Sequence, residues 1–319
     1  MRMPRFVAGV SSVGLIVLGA DVVSGQDYPN KPIRTFTSPA GGSSDIAGRI
    51  IMQAISSPLG QQMIIENRAG LIAAETVMRA PPDGYTLLFY SSGLWILPLL
   101  QSTPYDPVKD FLPITLAVST PNILVVHPSL PVRTIKELIA LAKARPGELN
   151  YASGPTGASN HLAAELFKAM ADVNMVRVTY RGGGPANIAL IGGEVQLMFT
   201  TAGSGGAYVK SGRLKALAVT SAQPSALAPG LPTVAASGLP GYESAGTSAL
   251  FAPAKTSATI INRLNQEVVR ALNGVDLREK LFNSGTEVVG NSPEELAAKI
   301  KSEMATSGKL IKDAGIRAE

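Results

Sequence analysis

Short runs rich in β-branched and aromatic residues alternate with longer stretches of helical period along most of the chain. That alternation constrains the fold more than any other feature. Strands that recur with a helix between them pair in parallel, and the helix supplies the crossover a parallel pair needs. Strand-like runs fall at 32–37, 63–65, 86–90, 122–126, 149–152, 176–180, 195–199, 216–220 and 250–252. Between them, Ile46, Ile50, Ile51, Ala54 and Ile55 recur on one helix face. A helical stretch at 75–80 is ended by Pro81-Pro82-Asp83-Gly84, and one at 259–272 is stopped by Gly274. Capping boxes at Thr134-Ile135-Lys136-Glu137 and Ser292-Pro293-Glu294-Glu295 mark two helix starts, because hydroxyl and carboxylate can satisfy free first-turn amides. Ser159 stands where it could cap a helix bearing Leu162, Leu166, Phe167 and Met170. The class is α/β with mostly parallel sheets, and 319 residues suffice for two domains.

The ends and the composition exclude several functions. Arg2 and Arg5 precede an apolar stretch at 6–20, too short to span a bilayer comfortably, and Val23-Ser24-Gly25 offers small residues before Gln26. Residues 1–25 are therefore expected to be a secretory signal, with the mature protein in the periplasm. No cysteine is present, which excludes disulfides, thiol catalysis and a lipoprotein anchor. Two histidines, His127 and His161, leave little for a metal site; neither metal nor cofactor is expected. The formal net charge is +5, but Lys and Arg are scattered and no aromatics interleave with them, so nucleic acid is not an expected partner. A mild positive field suits capture of anions.

Three Gly/Ser-rich loops each follow a strand-like run and open a helix. They are Pro39-Ala40-Gly41-Gly42-Ser43-Ser44-Asp45, Ser153-Gly154-Pro155-Thr156-Gly157-Ala158-Ser159 and Arg181-Gly182-Gly183-Gly184-Pro185. The first amides of a helix lack internal partners and the macrodipole adds positive charge, so such places favour anions. Each loop taken singly is equally a tight connection; three together point to binding. Arg68 and Arg181 are candidates for a bidentate carboxylate clamp. Enzyme signatures are lacking: there is no G-x-S-x-G elbow, no Walker A loop, no H-E-x-x-H and no complete G-x-G-x-x-G.

In order, the segments Tyr28-Pro29-Asn30-Lys31-Pro32-Ile33, 39–45, Glu66-Asn67-Arg68, 82–88, Tyr105-Asp106-Pro107-Val108-Lys109-Asp110-Phe111, Asn150-Tyr151-Ala152-Ser153, Ile191-Gly192-Gly193, 217–221 and Leu231-Pro232-Thr233-Val234 span almost the whole mature chain. Together they resemble the substrate-binding receptors of the tripartite tricarboxylate transporters, the Bug family. The resemblance implies a two-lobed type II periplasmic-binding-protein fold with the ligand enclosed between α/β lobes. Lobe one would be 26–124 plus 252–319, lobe two 125–251, with hinge strands near Val125 and Phe251. One ligand carboxylate would be held by the first loop, Ala40, Gly41, Gly42, Ser43, Ser44 and Asp45. Opposing groups would come from Ser153, Thr156, Ser159, Asn160, Arg181, Gly183, Thr200 and Thr201.

Departures from the family pattern bear on the ligand. The loop Ala69-Gly70-Leu71-Ile72-Ala73 is shorter and more apolar than is common. Family members commonly carry Asp where this chain has Ala189, Asp-Asn where it has Thr200-Thr201, an aromatic near Thr247-Ser248, and Asn where Leu97 precedes Pro98. Leu94 and Trp95 enter the same region. With Trp95 in the cleft, the expected ligand is a small carboxylate with an apolar or aromatic body, bound by a monomer. Delivery to a membrane permease, presentation to a sensor kinase and, on much poorer grounds, an exported hydrolase are the functions left open.

Overall fold

The computed structural model describes residues 28–40, 43–68, 70–154 and 156–313. The expected secretory segment, and Gly41 and Gly42 of the first loop, lie outside them. In chain order the elements are β1 (Ile33–Thr37), α1 (Ser43–Leu59), β2 (Met63–Asn67), α2 (Gly70–Met78), β3 (Thr86–Ser91), α3 (Gly93–Leu100) and β4 (Phe111–Val126). Then follow α4 (Ile135–Ala144), β5 (Asn150–Ser153), α5 (Ser159–Ala171), β6 (Val176–Thr179), α6 (Gly183–Ile191), β7 (Leu197–Thr201), α7 (Ala202–Lys210) and β8 (Lys215–Val219). The chain closes with β9 (Ala245–Pro253), α8 (Ala258–Leu272), α9 (Val275–Asn283), β10 (Glu287–Val288) and α10 (Pro293–Asp313). Among the described residues no helix is long and apolar enough to cross a membrane.

The strands run in the order β2-β1-β3-β9-β4-β7-β5-β6, with β8 and β10 also on β4. Pairing is parallel in each wing, β1 with β2 and β3, and β5 with β6 and β7. Around β4 it is antiparallel, with β7, β8, β9 and β10. The sequence reading of mostly parallel sheets is thus right for the wings and incomplete for the centre. Its short strand at 122–126 is the last third of β4. Pro113 and Pro121 interrupt the earlier part as a sequence signal, since proline cannot donate to a ladder. The structure accommodates Pro113 at a register shift, Pro113/Thr115, and Pro121 at the end of the ladder with β9, opposite Ala245.

β4 changes partners along its length. Residues 111–121 pair with β9, and 122–126 with β7 and mostly with β8. The chain returns at Ser244, whose amide reaches Thr220 O at 2.9 Å, before β9 begins. Each half is a sheet covered by helices on both sides. In one, α1, α8 and α9 pack on one face through Ile51, Ile55, Leu264 and Leu281, while α2, α3 and α10 cover the other through Val77, Trp95, Leu296 and Ile300. In the other, α4 and α5 supply Leu138, Ala164 and Phe167, and α6 supplies Ala186 and Leu190 opposite them.

The registers bring strand ends together. Ser91, at the end of β3, pairs with Ser248, and Thr201, at the end of β7, pairs with Asn122. The carboxyl ends of the parallel strands in both halves therefore converge on the partner switch at Pro121/Asn122.

Local departures have simple causes. The buried side of α1 is Ala47, Gly48, Ile51, Met52, Ile55 and Leu59, rotated from the face read off the isoleucines; Ile46 is exposed. The apolar stretch after Asn67-Arg68 is not all loop: residues 70–73 form the first turn of α2. Both capping hydroxyls work as read, Thr134 accepting from Glu137 N at 3.2 Å and Ser292 from Glu295 N at 3.2 Å. Ser159 does not cap α5; Ala158 occupies the N-cap without a side-chain bond.

Gly84 sits at φ +81°, and a Cβ there would stand 2.6 Å from Ile260 Cγ2 and 2.7 Å from the Tyr28 ring. Both backbone and packing oppose any side chain. We expect Gly84→Ala to lose about 1–3 kcal/mol of stability or more, visible as a lower urea midpoint. An unchanged midpoint would contradict the packing described for this turn.

Candidate ligand-binding site

The first wall is the end of β1 and the start of α1. Thr37 Oγ1 and Ser38 Oγ are buried and have no hydrogen-bond partner. Behind them the loop is tied down by side chains. Asn67 Nδ2 donates to Ser38 O and to Asp45 Oδ1, each at 2.7 Å. Arg49 donates from Nε to Asp45 Oδ1 at 2.9 Å and from Nη2 to Asn67 Oδ1 at 2.6 Å. Asp45 is thereby a buried carboxylate facing a guanidinium, and its bonds to Arg49 and Asn67 hold the loop. An uncompensated carboxylate there would repel an anion. Ser44 is buried and shares a 2.8 Å hydrogen bond with Ser248 of β9. Ala40 and Ser43 are exposed at the loop.

The second wall is the end of β5, the loop to α5, and α6. Arg177 of β6 organises it, a residue with no signal in the sequence beyond its charge. Its Nε donates to Ser153 Oγ at 2.7 Å, Nη1 to Thr156 Oγ1 at 3.0 Å and Nη2 to Gly154 O at 2.9 Å. Asn160 Oδ1 accepts from Gly154 N at 3.3 Å, and His161 Nδ1 from Gly157 N at 3.2 Å. Ser153 and Asn160 therefore spend bonds holding the loop. Ser159 lies beside Gly246 of β9, its Oγ 3.5 Å from where a Cβ of Gly246 would be. Gly183 opens α6 into free space. Asn187, further along that helix, is buried; its Nδ2 donates to Thr200 Oγ1 at 3.3 Å and its Oδ1 is unpaired.

The floor is the pair of crossing strands. Asn122 is fully buried, and neither its Oδ1 nor its Nδ2 has a partner. Thr247 Oγ1 on β9 is also buried and unpaired. A buried unpaired polar group costs about 1–3 kcal/mol. Among the described residues these orphans come from Thr37, Ser38, Asn122, Asn187 and Thr247, which lie on the two walls and the floor. Thr37 and Ser38 directly precede the first glycine-rich loop, whereas Asn122 and Asn187 read as ordinary strand and helix residues.

Next to the floor is a cavity of about 160 Å³ lined by Tyr90, Ser91, Gly93, Leu97, Leu100 and Tyr105 from one side and Thr156 and Gly157 from the other. Trp95 is not part of it. The indole is wholly buried in the core, edge-on to Phe251, and its Nε1 donates to Glu303 of α10 at 2.7 Å. One helical face of α3 turns Gly93, Leu97 and Leu100 to the cavity while Trp95 points the other way. The expectation of Trp95 in the cleft is corrected accordingly. Arg181 is exposed, and Thr201 serves as the cap of α7, accepting from Ser204 N at 3.2 Å.

Two α/β lobes, joined by strands that cross between them and bearing buried polar groups without partners where they meet, define a solute-binding protein. Residues 47–316 match the family described as TctC, tripartite tricarboxylate transporter family receptor, and the chain belongs to it. The UPF0065 protein in the tcbD-tcbE intergenic region of Pseudomonas sp. (strain P51) is 38% identical over 290 residues, covering 89% of this chain and 86% of its own. Protein BugT of Bordetella pertussis is 31% identical over 327 residues, covering 99% of each. Among solved structures, R. palustris Rpa4515 with adipate has a TM-score of 0.78 at 34% identity over 92% of this chain and 100% of that one. MatC from Rhodopseudomonas palustris with bound malate has a TM-score of 0.74 at 28% identity, over 89% and 100%. Receptors of this family are periplasmic and bind solutes for a tripartite transporter.

His161 offers a test of the second wall. Burial, reinforced by the Arg177 charge and only partly opposed by Glu165, lowers its pKa to about 4, against about 6.5 in an unfolded chain. Between those values the unfolded state binds the extra proton. The stability His161 contributes is thus complete above pH 6.5 and is lost as pH falls toward 4. We expect the urea midpoint to fall more steeply from pH 7 to 4.5 in the natural protein than in His161→Gln; parallel pH profiles would show that the ring is not held neutral.

Proposed function

We propose that this receptor encloses a small carboxylate between its lobes in the periplasm and delivers it to the membrane components of its transporter. The observation that carries the reading is the set of buried orphan groups on Thr37, Ser38, Asn122, Asn187 and Thr247. The hydroxyls of Thr37, Ser38 and Thr247 and the Nδ2 of Asn122 can donate to carboxylate oxygens, while the Oδ1 atoms of Asn122 and Asn187 can only accept from a ligand donor. Because all are already desolvated, a ligand that meets them gains hydrogen bonds at little further cost. The amide starts of α1 and α6 add positive potential on opposite sides. Adipate and malate in the two structural relatives support carboxylate as the ligand class.

The lobes follow the change of strand partners, with the hinge at Pro121/Asn122 and Ser244/Ala245, a few residues before the positions expected from sequence. Closing about two such strands is an ordinary hinge motion. The ligand's body is apolar or aromatic. That reading rests on Leu97, Leu100 and the tyrosine rings around the cavity and owes nothing to Trp95. A polyhydroxylated body there would leave about 1–3 kcal/mol per unpaired group. Export through residues 1–25 and a monomeric state complete the proposal.

Calorimetric titration of residues 26–319 with adipate, malate and aromatic acids tests it. Thr37→Val and Asn122→Leu each remove orphan groups without a large change in volume. We expect each to weaken binding about tenfold or more while the melting temperature holds or rises. Variants that melt earlier yet bind unchanged would show that these groups serve the fold and not a ligand.

A further inference from the structure

Within the cavity beside the floor, two polar groups stand out among apolar neighbours. Tyr105 is 7% exposed. Its ring is fixed edge-on to Phe111, with centroids 5.7 Å apart. Tyr90 is half-buried at the end of β3. Both rings line the cavity with Leu97 and Leu100, and among the described residues no hydrogen bond engages either phenol oxygen. Burial raises the pKa of both phenols, and the neighbouring Tyr90 raises that of Tyr105 further, so both stay protonated and remain donors at neutral pH. The opposite wall is Thr156 and Gly157 of the second lobe. The lobes touch here: a Cβ on Gly157 would come within 3.0 Å of Leu100 Cδ1. The cavity's 160 Å³ far exceeds the space one water needs, about 10–15 Å³.

We propose that Tyr90 and Tyr105 are specificity-determining residues that donate hydrogen bonds to an acceptor oxygen at the far end of the ligand. The ligand class this defines has a first carboxylate among the orphan groups, an apolar middle against Leu97 and Leu100, and a second carboxylate or carbonyl under the two phenols. The inference rests on the carboxylate-capture reading and deepens it. The side chains that line the cavity are neutral, with Arg177 engaged behind Thr156, so neutral donors recognise the second group by direction more than by charge. An acid that ends in a methyl group would enter the same cavity and leave both phenols unpaired, and a site built to hydrogen-bond rejects such an analogue.

Two acid pairs of matched body test this: hexanoate against adipate, and benzoate against terephthalate. Each is titrated by calorimetry into the full mature chain and into Tyr90→Phe, Tyr105→Phe and the double variant. Thermal melts of all four proteins check the fold. In the natural protein the diacid of at least one pair should bind about tenfold or more tighter than its monoacid. In the double variant that gap should shrink to about twofold, with monoacid affinity unchanged or improved. If a diacid and its monoacid bind alike in the natural protein, or if the variants weaken both equally, the inference is overturned while carboxylate capture stands. If none of the four acids binds the natural protein, the capture reading fails and the inference falls with it.

Discussion

One strand belongs to both halves of this molecule. The sixteen residues of β4 are almost wholly buried, and every backbone group along it must find a partner in one lobe or the other. The hand-over at Pro121/Asn122 is therefore the point about which everything else is arranged. The chain returns beside this point at Ser244, whose amide is bonded to Thr220 O, before β9 runs antiparallel to the first part of β4. The registers then leave the carboxyl ends of the parallel strands, and the helix starts that follow them, facing the hand-over from both sides. Ligands in open α/β sheets sit beyond such ends; here two sets of them share one space.

The polar groups around that space divide into those that hold and those that wait. Asp45, Arg49 and Asn67 brace the first loop, and Arg177, Asn160 and His161 brace the second. These are the charged and best-bonded members of the site, and they stand behind the walls. The groups left unpaired are neutral hydroxyls and amides. The arrangement is physically sensible for a receptor that must release what it binds. A direct, desolvated ion pair with the ligand would be costly to form and to break, whereas preorganised neutral donors bind an anion with less to undo. Buried without partners, these groups are a stability cost, which the proposed function would explain.

The cavity beside the floor differs in character from the orphan set. Its surface is mostly leucine and tyrosine ring, with one side contributed by each lobe. On the proposed reading, closure would bury apolar area at one end of the cleft and satisfy hydrogen bonds at the other. A ligand with an oxygen-rich head and an apolar middle would use both, beside the close approach of Leu100 to Gly157.

Much of this was legible in the order of residues. The βα alternation, both capping boxes and the three glycine-rich loops depend on neighbours within a few positions, and they stand where the sequence put them, apart from Gly41, Gly42 and Pro155, which lie outside the described residues. The family resemblance followed from those same short segments. Other features were hidden for physical reasons. Prolines 113 and 121 broke the strand signal of β4, because only its partners show that their missing amides are tolerated. The wholly apolar α3 has no amphipathic pattern to reveal which side faces core, so Trp95 was assigned to the cleft although the carboxylate of Glu303, more than two hundred residues away, claims its indole. Asn122, Asn187 and Thr247 carry no motif; they matter because nothing pairs with them, and an absence of partners exists only in three dimensions. Local chemistry settled the elements, the loops and the class of protein from sequence alone. Which polar groups are spent on the fold and which remain for a ligand was decided by tertiary contacts, since burial and pairing are properties of neighbours that the chain brings together only on folding.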